Sequence, residues 1–261
     1  MSRSRYVFGF HAARSHLRMR PESVHEIYVD AARLDARMRE FTDLAKAKNI
    51  RVMAVDAKRL DGMTGGAARH QGIVMAVEPI QLAQFVDDVL DVLTVPPLLL
   101  VLDSITDPHN LGACLRVADA AGVHAVIAPK DRSVGLTATA IKVASGAAQT
   151  VPYIMVTNLA RTLRELSARD IRIIGADEKG NSSLYDTTFT GALAWVLGAE
   201  GEGLRRLTRE HCDDIVSIPL FGAVESLNVS VASGICLFET RRQLENVAKK
   251  AVADIGRQKG L

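Results

Sequence analysis

The chain has 261 residues, 48% of them hydrophobic, and its 32 Lys and Arg against 30 Asp and Glu leave a net charge of +2. That is enough apolar material for one large or two modest cores, and too little net charge to argue for a nucleic-acid partner by itself. No apolar run approaches the ~20 residues that span a bilayer, and Met1 to Tyr6 has no apolar secretion-signal core behind it, so a cytoplasmic location is expected. Cys114, Cys212 and Cys236 are odd in number, widely spaced and set in apolar patterns. They indicate neither a disulfide framework nor a zinc site, and we expect buried free thiols and no metal.

In chain order, Val24 to Val29 and Arg51 to Val55 read as short strands, with Leu34, Met38, Phe41 and Ala45 between them at helical spacing. A Gly-rich turn, Gly62 to Gly66, leads to a third apolar stretch from Gly72 to Val77, making a small α/β unit over residues 1–78. Residues 79–97 change character: acidic and amide side chains mix with apolar ones, and a Pro-Pro pair closes a segment read as a part-helical linker.

From Leu98 the rhythm shifts again. Leu98 to Leu102, His124 to Ala128, Ile171 to Gly175, Leu193 to Leu197 and Ile215 to Leu220 are continuous apolar runs, most of them separated by helix-like segments. Strands apolar throughout are covered on both faces, which predicts a mostly parallel α/β sheet with helices on each side over 98–244. Val229 to Leu244 reads as a closing helix. The tail 245–261, with Lys249, Lys250, Arg257 and Lys259, is polar enough to fray or be disordered. The arginines at 3, 5, 14, 18 and 20 form a second basic cluster; by themselves such runs read first as solvated surface, and as an RNA-facing patch only beside other evidence.

Three segments fall where apolar runs end: Asp107-Pro108-His109-Asn110-Leu111-Gly112 with Arg116 beyond, Gly198-Ala199-Glu200-Gly201-Glu202-Gly203, and Ser226-Leu227-Asn228-Val229-Ser230. Strand ends of such sheets gather loops into ligand sites, so the set predicts one pocket. Each residue also has a plainer reading. Asn110, Ser226 and Asn228 could cap helices, and Arg116 could lie on the surface with its stem on the sheet. Glu200, between residues 199 and 201 at a strand end, has little packing value. The first strand is followed by Asp103-Ser104-Ile105-Thr106-Asp107-Pro108 rather than G-x-G-x-x-G, which argues against a nicotinamide oxidoreductase.

In order and spacing these segments resemble motifs one, two and three of the SpoU/TrmH (SPOUT) class of RNA 2′-O-ribose methyltransferases, over Leu98 to Arg242. Gly9-Phe10-His11-Ala12 and His70-Gln71-Gly72 add a likeness to the N-terminal, L30e-like RNA-binding domain of its 23S rRNA guanosine subgroup. Phe10 departs from the Ile or Val often found there, and the basic tail is longer than expected. The resemblance implies S-adenosyl-L-methionine as methyl donor, 23S rRNA as substrate, a trefoil knot around the last helix and a homodimer with the pocket near its interface. It places Asn110, Arg116, Glu200, Ser226 and Asn228 in the polar catalytic set and Gly198, Gly201, Ile218 and Leu227 against the cofactor. Glycines at 201 and 203 would let the backbone approach it closely. Related tRNA enzymes have the arginine matching Arg116 proposed as the base. An arginine pKa above about 12 sits badly with that role and favours an anchoring and charge-stabilising one. Methylation of tRNA by the same fold, and a non-catalytic rRNA-binding assembly protein, are the alternatives.

Overall fold

The computed structural model describes residues 5–33, 35–66, 70–78, 82–199, 201 and 203–258. Outside them lie Glu200 of the candidate set, Glu202, Leu34 of the helical pattern, Pro79 and Gln81 of the linker, and Arg3 and Lys259 of the basic clusters. The chain divides into two compact units, Met1–Gln81 and Leu82–Leu261.

The first unit runs β1 (Arg5–Phe8), α1 (Phe10–Met19), β2 (Val24–Asp30), α2 (Ala36–Ala47), β3 (Val52–Val55), α3 (Ala57–Thr64) and β4 (Ile73–Val77). Its four strands are ordered β1-β4-β2-β3, with β2 and β3 parallel and the other pairs antiparallel. Asp35 and Asp56 start α2 and α3 by accepting the backbone N–H of Met38 at 2.9 Å and of Arg59 at 2.8 Å. Met38, Phe41 and Ala45 are buried as their spacing predicts. The Gly62 to Gly66 stretch differs from the sequence expectation. Gly62 sits inside α3, and the helix ends only at Gly65, whose φ is 75°. A helical glycine costs about 1 kcal/mol, which the Asp56 cap and the full burial of Leu60 offset. β1 and α1 escaped the sequence reading.

The two N-terminal motifs meet in this unit. The Phe10 backbone N–H donates to Gln71 Oε1 at 2.9 Å, and His70 Nδ1 accepts from the Gly72 backbone at 3.0 Å. Phe10 itself is buried, edge-on to Phe41 at 5.6 Å with the Arg37 guanidinium 4.2 Å above its ring, contacts an aliphatic residue there would lack.

The second unit begins with α4 (Val86–Leu90), so part of the expected linker is packed structure. Val89 is buried, while Asp87 and Asp91 on the other side of the turn accept from Arg169 at 2.8 and 2.7 Å. There follow β5 (Leu98–Asp103), α5 (Pro108–Ala120), β6 (Ala125–Pro129), α6 (Ala138–Ala144), β7 (Tyr153–Val156), α7 (Leu159–Ser167), β8 (Arg172–Ala176), β9 (Ser182–Ser183), β10 (Leu193–Gly198), α8 (Arg206–Glu210), β11 (Asp214–Ser217) and α9 (Val229–Gln258). The helix α9 runs on past Leu244.

These strands form a seven-stranded sheet ordered β7-β6-β5-β10-β8-β11-β9, with every pair parallel. Alternation along β5 shows why its run is apolar throughout. Leu98, Leu100 and Leu102 join one buried cluster with residues of α5, α6 and α9, whereas Leu99 and Val101 join a second with residues of α4 and α7. On the first face Trp195 is fully buried, edge-on to Phe189 at 5.2 Å, and its indole N–H donates to Thr240 Oγ1 at 2.9 Å. That bond ties α9 to the centre of the sheet.

Candidate active site

The carboxyl ends of β8, β10 and β11 open into a cleft of about 1100 Å³, lined by residues of 176–179, 197–204 and 217–229. The β10 end is shaped by backbone contact. A Cβ at Gly198 would lie 2.0 Å from the Gly203 carbonyl oxygen, and the Gly203 N–H donates to the Ala199 carbonyl at 2.9 Å. The loop therefore folds back on the strand end, turning through Gly201 and Gly203 at φ of 80° and 65°. Sequence reasoning expected residues 201 and 203 to admit the ligand; the close backbone approach found is between Gly198 and Gly203 within the chain.

Of the candidates, Gly198, Gly201, Ile218, Ser226 and Leu227 line this cleft. Asn228 and Asn110 are joined beside it, Asn228 Nδ2 donating to Asn110 Oδ1 at 2.8 Å. The amide orientation is determined locally, because Asn228 Oδ1 accepts from the backbone N–H of Ser230 at 3.0 Å and from its hydroxyl at 2.6 Å, leaving the NH₂ for Asn110. Asn228 thus caps the start of α9 and also reaches α5. Asn110 is not the cap of α5, since it lies inside the helix; Asp107 caps it, accepting the His109 N–H at 2.9 Å, with Pro108 in the first turn.

Arg116 stands apart from this cleft. It lines a second groove of about 620 Å³ with His109, Thr139, Lys142, Val143 and Ser145, between α5 and α6. At ~1.5 Å rise per residue it sits about 9 Å along the helix from Asn110.

Two acid–base pairs brace the strand ends and were missed in the sequence. Asp103, fully buried at the end of β5, is held by Arg205, whose Nε and Nη2 each lie 2.6 Å from Oδ1. Asp177, just past β8, is held by Arg209 at 2.5 Å and by the backbone of Lys179 at 2.9 Å. Burial pushes the Asp177 carboxyl up, but the Lys179 backbone and Arg209 outweigh it and hold the pKa below the ordinary carboxylate value. The available signal was a carboxylate closing an apolar run at a strand's carboxyl end. Burial pushes the Cys212 thiol up to about 12 and the Cys236 thiol up as well, so neither is a thiolate at neutral pH. No group of metal-ligating side chains occurs among the described residues, and no helix among them is long and apolar enough to cross a membrane.

A parallel sheet with a backbone-shaped cleft at its strand ends defines a nucleotide-type binding domain of the α/β class. The SpoU rRNA Methylase family matches residues 97–238, and the RNA 2′-O ribose methyltransferase substrate-binding family matches residues 6–83. The chain belongs to the SpoU rRNA Methylase family. It is 58% identical to the 23S rRNA (guanosine-2′-O-)-methyltransferase RlmB of Ralstonia nicotianae over 96% of this chain and 100% of that one. Against RlmB of Escherichia coli K12 the identity is 50%, over 92% and 99%. Among solved structures, the SpoU methyltransferase AviRb from Streptomyces viridochromogenes in complex with the cofactor AdoMet superposes with a TM-score of 0.63 at 26% identity, over 91% of this chain and 89% of that one.

Proposed function

We propose that this protein transfers the methyl group of S-adenosylmethionine to the ribose 2′-hydroxyl of a guanosine in 23S rRNA. The observation that carries the reading is the Asn228–Asn110 bond, which couples the start of α5 to the lip of the cleft formed by β10 and β11 and brings two of three separated motifs together. RlmB relatives matched over nearly their whole length, together with the substrate-binding match over 6–83, favour rRNA over tRNA.

The cleft fits the cofactor. Leu197, Ile218, Leu220 and Leu227 offer apolar walls for a purine and an alkyl chain, and the close-packed backbone at Gly198 and Gly203 leaves main-chain groups at the ligand surface. S-adenosylmethionine supplies a methyl carbon already activated by its sulfonium, so the protein's task is alignment and stabilisation of charge on the attacking oxygen. Gly198, Gly201, Ile218 and Leu227 hold the donor through shape and backbone. Asn110, Asn228, Ser226 and Glu200 order the ribose side. Arg116, about 9 Å along α5 from Asn110, works from the RNA side, as a cation on phosphate and on the forming alkoxide rather than as a base.

The same reading carries a trefoil knot around α9, cytoplasmic residence with the ribosomal RNA, and a homodimer. For the dimer, Val231 and Phe238, two turns apart on α9, leave an exposed apolar stripe of the kind a second copy covers.

Calorimetry with S-adenosylmethionine and with NAD, followed by mass-spectrometric mapping of 2′-O-methyl groups on 23S rRNA incubated with the protein, tests the function. We expect binding of the first ligand only and one new methylated guanosine; rRNA that stays unmodified despite cofactor binding sinks the reading.

A further inference from the structure

The groove between α5 and α6 lies outside the cleft, and its construction is specific. His109, Gly112 and Arg116 recur at spacings of three and four on one side of α5, and Thr139, Lys142 and Val143 do the same on α6, so two helical faces meet. At Gly112 the α5 side of the contact has no side chain, so α6 packs on the helix backbone. A Cβ at Gly112 would lie 2.6 Å from the Ala140 carbonyl oxygen and 2.7 Å from Val143 Cβ. This close approach of α6 to the α5 backbone brings Arg116 and Lys142 into one groove, which Thr139 and Ser145 also line.

Both cations are exposed, and among the described residues neither forms an ion pair with a carboxylate. Two uncompensated positive charges flanked by hydroxyl donors make a site for a phosphodiester oxygen, with Arg116 as the planar fork and Lys142 as the point charge.

We propose that the α5/α6 groove binds a backbone phosphate of the RNA strand, with Lys142 as an RNA-gripping residue beside Arg116. The inference rests on the RNA methyltransferase reading of the cleft and deepens it. Arg116 and Asn110 share α5, so a phosphate held in the groove sets the strand's register relative to the nucleotide entering the cleft. Lys142 therefore acts on RNA affinity and leaves the donor site untouched.

The test compares full-length wild type, Lys142→Gln and Lys142→Arg in methylation and direct binding of transcribed 23S rRNA over a series of KCl concentrations. For Lys142→Gln we expect KM for rRNA to rise about two- to fivefold with kcat and S-adenosylmethionine affinity unchanged. The slope of log affinity against log salt should fall by about 0.7, and Lys142→Arg should restore both. Thr139→Glu, which brings a carboxylate into the groove, should weaken binding further, and it decides the matter if Lys142→Gln fails to fold. An unchanged salt slope and KM in Lys142→Gln, a loss confined to kcat, or no restoration by Lys142→Arg would overturn the proposal. Wild-type protein that binds rRNA but methylates none would instead refute the function, while the binding slopes would still judge the groove.

Discussion

Asp177 shows how one side chain at the cleft sets a stability limit. Its side chain is only 7% exposed, and Arg209 is its ion-pair partner. Because the folded carboxyl titrates below the unfolded value of 3.8, the pair contributes stability that is fully present at neutral pH and is lost as pH falls through the depressed folded value. Arg209→Ala strands that carboxylate and should cost about 3 kcal/mol at pH 7. Denaturant melts across pH would show the gap between variant and wild type closing below about pH 4, as the unpaired acid takes up a proton. A gap that stays constant with pH would mean that Arg209 acts by packing alone.

At the scale of elements, the functional geometry comes from where strands end and where helices touch. β10 runs between β5 and β8 and stops at Gly198, where the returning loop leaves no room for a side chain. Gly198→Ala should therefore cost about 3 kcal/mol or force the loop open, and should abolish S-adenosylmethionine binding in a calorimeter. Retained affinity would show that the loop shifts freely and that the close approach is incidental. The connector helix α4 makes the same point about packing: the segment expected to be a part-helical linker holds this helix, and its Val89 is buried with Leu99 and Val101 of β5.

For the whole molecule, two separate cores imply two separable tasks. Phe10, Leu17, Ile27, Phe41 and Ile73 bury one another within the first unit, and the second unit has its own layers on both faces of the sheet. Residues 82–261 expressed alone should fold and bind S-adenosylmethionine with near wild-type affinity. Methylation of 23S rRNA should drop on the order of a hundredfold, because the tethered second contact is gone. Unchanged rRNA methylation by this fragment would place recognition in the second unit.

Local rules made a good part of this legible in the chain itself. Uniform apolar runs announced doubly covered parallel strands, Met38, Phe41 and Ala45 announced a helix face, and the ordered motifs announced the family, since each depends on side-chain pattern over a few residues. Short elements escaped: β7 is apolar but only four residues long, β9 is a pair of serines, and α3 contains a glycine that a local reading takes for a turn. The site was legible only in part. Residues 198, 218, 226 and 227 fall around one cleft because they follow the ends of β10 and β11, the strands on either side of β8. That Asn228 would bond Asn110, that Asp103 and Asp177 would take Arg205 and Arg209, and that Arg116 would face Lys142 across a helix contact depended on strand order and helix approach. Those are distances between residues far apart in sequence, set by packing of the whole sheet, and no local pattern encodes them.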